Sequence, residues 1–295
     1  MKKILLTGGS GFIGKNIAES YLAQKYQIIA PKRDEIDLLK DQTVADFFSN
    51  HKYFDVVIHS ACKPGHRNAA DTSGVFYSNN RMFFNLLKHS DYFGKMLIMG
   101  SGAIYDGKNY LPKMKEEYFG THIPEDEHGF SKYVIGREVE RSSKVIDLRI
   151  FGIFGKYEDY AIRFISNAIC KAIFDLPITL RQNRKFDYLY IDDLMPILEY
   201  FIENNAEYCA YNVTPDYSIE LLEIAKIVKE ISGKNLPINV ANPGLGLEYS
   251  GDNSRLHGQI KNLEFTPIKN TVFTLYNWYL AHQNQINKQN LLTDK

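Results

Sequence analysis

The chain has no net charge: 35 Lys plus Arg are matched by 35 Asp plus Glu. That balance excludes a whole-molecule field drawing it onto nucleic acid or an anionic membrane, so any bound anion must be held locally. Nor are the basic residues clustered with stacking aromatics, so no nucleic-acid partner is expected. Cysteine is scarce. Cys62, Cys170 and Cys209 are too widely spaced for a disulfide framework or a metal knuckle, and they read as reduced packing residues with no metal site. Long hydrophobic runs are missing as well. Stretches such as 4–6 and 56–58 fall far short of the roughly 20 residues that span a bilayer. Met1-Lys2-Lys3 leads into a strand pattern and not a signal-peptide core, so no membrane partner and a cytoplasmic location are expected. Internal repeats and low-complexity blocks are absent too.

What is present is ordinary globular composition, with 44% hydrophobic and 24% charged residues in 295. That length suits one large α/β domain or a nucleotide-binding domain with a smaller lobe. The first 150 residues alternate short β-branched runs (3–7, 27–31, 56–60, 95–100, 145–150) with helical patterns (16–24, 42–50, 79–90, 131–142). This rhythm predicts an α/β fold built on a doubly wound parallel sheet. Beyond Gly155 the pattern changes to a helix over 162–174, a break at Pro177 and an aromatic run over 186–191. A helix over 219–232, a Gly/Pro-rich stretch over 242–252, a helix over 270–282 and a fraying tail after Gln283 follow.

Gly8, Gly11 and Gly14 make a G-x-x-G-x-x-G between the first strand and the first helix. Glycine there lets backbone approach a pyrophosphate, and the helix N-terminus offers free amides and partial positive charge. The motif points to a Rossmann dinucleotide site, with Ser10, Phe12 and Ile13 as further contacts. An acid at the end of the second strand binds a free ribose 2′-hydroxyl; here Lys32 and Arg33 stand instead, which favours a 2′-phosphate. NADP(H) is therefore the preferred cofactor, with NAD(H) possible because Asp34 and Glu35 follow closely and Lys32 and Arg33 can also be read as solvated loop charges.

Across nearly its whole length the sequence resembles the extended short-chain dehydrogenase/reductases, the family of sugar-nucleotide epimerases, dehydratases and reductases. Besides the glycines, the resemblance rests on Asp37-Leu38, His59-Ser60-Ala61, Asn79 with Asn85-Leu86-Leu87, the segments 100–105 and 149–155, and Tyr190-Ile191-Asp192-Asp193. The 32–39 stretch is most similar to the GDP-fucose synthase-like reductases. The likeness implies that Asp37, Leu38, Ser60, Ala61, Lys63, Asn79 and Lys132 contact the cofactor. It also implies a Rossmann domain over 1–155 and 184–207, a smaller α/β substrate lobe over 156–183 and 208–295, and a homodimer paired through the helices at 79–90 and 131–142.

The family's catalytic set is a Ser or Thr with a Tyr-x-x-x-Lys on one helix. Ser101 and Lys132 match, but the tyrosine position is His128. Residues four apart share a helix face, so His128 and Lys132 still point together. An imidazolium, with an ordinary pKa of about 6.5, can deliver a proton to an alkoxide, while Ser101 polarises the carbonyl. Against this stand a purely structural His128, capping or packing its helix, and a shifted register using Tyr133 and Arg137. Gly102 and Ala103 replace the acidic pair of the family's 4,6-dehydratases, and neither a cysteine at 103 nor a histidine over 157–164 is present for epimerisation. The expected reaction is NADPH-dependent reduction of a nucleotide-activated 4-keto sugar. Arg163, Arg184 and Arg255 are the candidate cations for its diphosphate; Phe186 stands where the family often has arginine. An NAD-dependent 4-epimerase or dehydrogenase and a non-catalytic dinucleotide-binding sensor or scaffold stay open.

Overall fold

The computed structural model describes residues 1–65 and 73–292. In the first half β1 (Lys3–Thr7), α1 (Phe12–Glu19), α2 (Leu22–Lys25), β2 (Gln27–Ile29), α3 (Asp41–His51), β3 (Phe54–His59), α4 (Val75–Leu87), β4 (Phe93–Ser101), α5 (Glu127–Val139) and β5 (Val145–Ile150) alternate. Every sheet pairing is parallel, in the order β2-β1-β3-β4-β5 with β10 (Ala210–Val213) at the far edge. Helices cover both faces, so the strands are buried on both sides and do not alternate: Ile4, Leu5 and Leu6 are wholly buried, and every residue of β5 is buried, the pair Asp147 and Arg149 included. The strand order reverses at β1, and the C-terminal ends there open the crevice where such sheets bind ligands.

The sixth strand corrects the expected domain boundary. Residues 210–213 pair with β5 through Ala210 to Val213 and complete the Rossmann sheet, although a lobe running from 208 would exclude them. The second lobe packs α6 (Phe164–Ile173), α8 (Leu221–Ser232) and α10 (Ile268–Ala281) together. A strand over Ile178–Asn183 pairs in parallel with one over Ile238–Leu245, so part of the Gly/Pro-rich stretch is strand and not loop. Helix ends also move. The helix expected over 16–24 starts at Phe12 and breaks at Ser20, whose hydroxyl oxygen accepts from Leu22 N at 3.2 Å. The tail after Gln283 is partly held: Leu291 is buried and Asn287 N donates to the Tyr160 hydroxyl at 2.9 Å, while 293–295 lie outside the described residues.

Beneath the C-terminal ends of β4 and β5 lies a buried polar network. Arg149, only 2% exposed, donates from Nε to Asp147 at 3.0 Å and from a terminal nitrogen to the Tyr105 hydroxyl at 2.9 Å. The Tyr105 hydroxyl donates to Asn212 at 2.7 Å, and the Asn212 amide donates to Met114 O at 2.8 Å and Asp252 O at 3.1 Å. Breaking one member of a buried ion pair leaves the other charge uncompensated, at a cost of about 3–5 kcal/mol. Arg149→Met is expected to lose stability on that scale in urea unfolding; a loss under about 1 kcal/mol would show that the network is not what holds this junction.

Candidate active site and dinucleotide cradle

Gly8 turns the chain out of β1 with φ +73°, and a Cβ there would lie 2.6 Å from Ala61 N. A Cβ on Gly14 would lie 2.1 Å from Gly8 O, so the helix runs directly against the turn. Gly11 N donates to Gly8 O at 2.9 Å, and no side chain caps α1, which leaves its first amides open to an anion. Phe12 and Ile13 border the adjoining cleft, and Ser10 is exposed at the turn. This backbone cradle fits a dinucleotide pyrophosphate. Gly9 was not singled out by the motif, yet its Cβ would sit 2.8 Å from Ala30 Cβ, so it too must be small.

Around the cradle the remaining cofactor candidates are arranged by local bonds. Lys32 and Arg33 stand exposed after β2; Lys32 N donates to Glu35 at 2.8 Å and Arg33 Nε lies 3.9 Å from Asp37. Asp37 accepts from Leu39 N at 3.2 Å, and the carbonyl of buried Leu38 accepts from Asn85 at 2.8 Å. Ser60 Oγ donates to Thr7 O at 2.8 Å, fixing the turn after β3. Asn79 clamps Lys63 by both backbone groups, at 2.7 and 3.1 Å, while the Lys63 ammonium reaches Ser73 O at 2.6 Å.

Ser101, His128 and Lys132 border one cleft of about 920 Å³ between the sheet ends and the second lobe. Ser101 is the last residue of β4, and its hydroxyl oxygen accepts from Ala103 N at 3.2 Å. Lys132 Nζ donates to Met99 O at 3.0 Å, which ties α5 to the same strand end. The capping role proposed for His128 is filled by another residue: Asp126 accepts from Gly129 N at 2.8 Å, starts α5 at Glu127 and places His128 inside the first turn, facing the cleft. The shifted register does not reach the site. Tyr133 packs on Phe119 at 5.4 Å between ring centroids, and Arg137 pairs with Glu140 at 2.7 Å. Gly102 has no room for a side chain, since a Cβ would lie 2.6 Å from the Phe151 ring, and Ala103 presents only a methyl to the cleft.

On the opposite wall Arg163 and Arg184 face the same space, joined by Arg181. The Arg184 guanidinium lies 4.8 Å over the Phe186 ring and donates to Leu247 O at 2.8 Å, so it brings positive charge to the position where Phe186 replaces arginine. Arg255 is a correction. It pairs with Glu117, donates to Ala210 O at 3.2 Å, stacks 4.3 Å over Tyr208 and does not border the cleft. Tyr249 and Glu158 are among the cleft residues that escaped the sequence reading. Tyr249, from the 242–252 stretch, arrives beside Ser101 through tertiary pairing, and Glu158 is buried at the lobe's entrance with Ser166 Oγ donating to it at 2.6 Å. Neither follows a spacing rule, so no sequence signal marked them.

Burial sets the electrostatics. His59, beneath the site, is pushed down to about 3 by desolvation and then by the Lys132 charge, so it stays neutral, with its Nδ1 2.7 Å from Thr7 Oγ1. Glu158 is pushed up to about 8 by desolvation, and Asp187, bonded to Thr214 and Gly251 N, up to about 7 for the same reason. A carboxyl raised in the folded state favours the protonated form on folding. The stability from Asp187 is therefore complete below its ordinary 3.8, declines as pH rises and is gone above about 7. Asp187→Asn cannot ionise, so its melting temperature relative to the unmodified chain is expected to climb over that window and level off above it; a difference that does not vary with pH would contradict the assignment.

The fold and cradle define a dinucleotide-dependent enzyme of the extended short-chain type, and the chain belongs to the NAD dependent epimerase/dehydratase family, whose model matches residues 4–214. It is 25% identical over 258 residues to GDP-L-colitose synthase of Yersinia pseudotuberculosis, covering 78% of this chain and 82% of that protein. To GDP-L-fucose synthase of Sinorhizobium fredii it is 24% identical over 253 residues, covering 79% and 80%. Among solved structures it resembles the GDP-mannoheptose C4 reductase of Campylobacter jejuni with NADP bound, with TM-score 0.81, 21% identity, and 94% and 98% of the two chains covered. Among the described residues no group of three His, Cys, Asp or Glu is placed to hold a metal ion, and no helix is long and apolar enough to cross a membrane.

Proposed function

We propose that the chain is an NADPH-dependent reductase of a nucleotide-activated 4-keto sugar. The observation that carries this reading is one cleft with Ser101, His128 and Lys132 on the Rossmann wall and Arg163, Arg181 and Arg184 on the other. When bound, the reduced nicotinamide supplies the hydride to C4. The glycine cradle and the open N-terminus of α1 would hold the pyrophosphate, and Lys32 and Arg33 would meet the 2′-phosphate. Ser101 donates a hydrogen bond to the C4 oxygen, Lys132 adds positive potential and orients the nicotinamide ribose, and the His128 imidazolium gives the proton that completes the alcohol. The three arginines neutralise the sugar's diphosphate.

The side chains present argue against the family's other reactions. Dehydration needs an acid and a base after Ser101, where Gly102 is sterically fixed and Ala103 has no proton to exchange. The relatives' printed names, a GDP-L-colitose synthase and a GDP-mannoheptose C4 reductase with NADP, support the nucleotide-sugar and cofactor assignments. Exposed Tyr77, Phe84 and Phe130 on α4 and α5 support pairing of two copies across those helices.

Purified protein should bind NADPH more tightly than NADH and oxidise it when a 4-keto-6-deoxy nucleotide sugar is added. His128→Ala is expected to lower kcat by about 10²–10⁴-fold. Unchanged turnover in that variant would remove His128 as the acid; dinucleotide binding without turnover across a broad sugar panel would favour a non-catalytic sensor.

A further inference from the structure

The helix that should carry a catalytic tyrosine carries His128, yet a phenol stands in the cleft from the other lobe. Tyr249 borders the same cavity as Ser101, His128 and Lys132, with its phenol near the side chains of Ser101 and Tyr110. Its placement is fixed from several sides. Tyr249 N donates to Lys185 O at 2.9 Å, and the ring packs on Tyr110, Phe151 and Phe186 with centroids 4.8, 5.0 and 5.7 Å away. The next two residues are locked as well: Ser250 O accepts from Met114 N at 2.9 Å, and Gly251 N donates to buried Asp187 at 2.7 Å. Tyr110 in turn donates to Gly102 O at 3.0 Å, so the second lobe is fastened to the turn that carries Ser101.

We propose that Tyr249 is a catalytic residue whose phenol joins Ser101 as a second hydrogen-bond donor to the reacting C4 oxygen. This rests on the reductase reading. Two neutral donors converging on one oxygen stabilise the charge that develops there as the carbonyl opens, and because they are held in place before reaction they need no reorganisation. Burial raises the Tyr249 phenol well above its ordinary value, which keeps it a donor and unsuited to act as a base. The step remains a two-electron reduction. The carbonyl π bond breaks, a C–H bond forms with the hydride and an O–H bond with the proton from His128, and Tyr249 keeps its own proton. The proposal also explains how a chain lacking the helix tyrosine can separate two tasks which that residue performs together in its relatives: the oxygen is bound by Tyr249 and Ser101, and the proton is carried by His128.

Tyr249→Phe keeps every ring contact and removes only the hydroxyl. Loss of one such donor costs about 10²–10³-fold in kcat, and KM and NADPH affinity are expected to change by less than about threefold. Combined with Ser101→Ala the losses should be non-additive, because both hydroxyls act on one oxygen. If the unmodified protein turns over and Tyr249→Phe matches it, the assignment of Tyr249 is overturned and the reductase reading stands. Loss of NADPH binding or a lowered melting temperature in Tyr249→Phe also overturns it, showing a structural role. Absence of NADPH oxidation by the unmodified protein across a 4-keto-sugar panel overturns both.

Discussion

A charged guanidinium buried under the catalytic strand ends is the constraint on which the site depends. Arg149 has lost its water, so the surrounding chain must supply every partner: Asp147 on its own strand, Tyr105 from the turn after Ser101, and the Phe119 ring at 4.6 Å. Tyr105 passes the connection to Asn212 on β10, whose amide in turn holds carbonyls of Met114 and Asp252. Four separated segments therefore meet at one polar knot. The turn carrying Ser101 and the segment carrying Tyr249 are each only a few residues from it, so the two walls of the cleft share a fixed reference.

What was legible in the sequence is what local backbone chemistry dictates. Gly8 and Gly14 were readable because the chain cannot make that turn and helix contact with a Cβ in the way, and the parallel sheet because strands covered on both faces are mostly apolar. Ser101 and Lys132 were marked by their match to the family's Ser and Tyr-x-x-x-Lys set, and both border the cleft. The sixth strand was not readable: Ala210–Val213 is four residues long and gains its identity only by pairing with β5. Arg255 was misplaced for a related reason. Charge alone gives no direction, and Glu117 and the Tyr208 face, brought near by folding, draw its guanidinium away from the cleft. Tyr249 was hidden in a segment whose Gly/Pro content reads as loop, although its backbone joins Lys185 and Phe186 in a short extended pairing.

The departure at position 128 makes physical sense only when the helix start is considered. Asp126 takes the cap, so the residue two positions later stands in the first turn, where the helix's exposed amides carry partial positive charge. On the proposed reading, a carbonyl gaining negative character is the oxygen to which the His128 imidazolium gives its proton, while Arg163, Arg181 and Arg184 would face the diphosphate from the opposite wall.

A phenol in this position would face the opposite balance. At neutral pH it starts protonated, and positive potential from Lys132 makes the proton easier to release, which is why a tyrosine and lysine on one helix face suit carbonyl reduction. On the proposed reading, exchanging that tyrosine for histidine hands the proton to an imidazole and leaves the carbonyl oxygen short of one neutral donor. The second lobe has the means to offset that loss. On the same reading its arginines would meet the anionic substrate, and its Tyr249 borders the same cleft as Ser101. The lobe proposed to face the sugar then also carries one of the two donors to its oxygen, and the bonds from Tyr249 N to Lys185 O and from Gly251 N to Asp187 hold that donor in place beforehand.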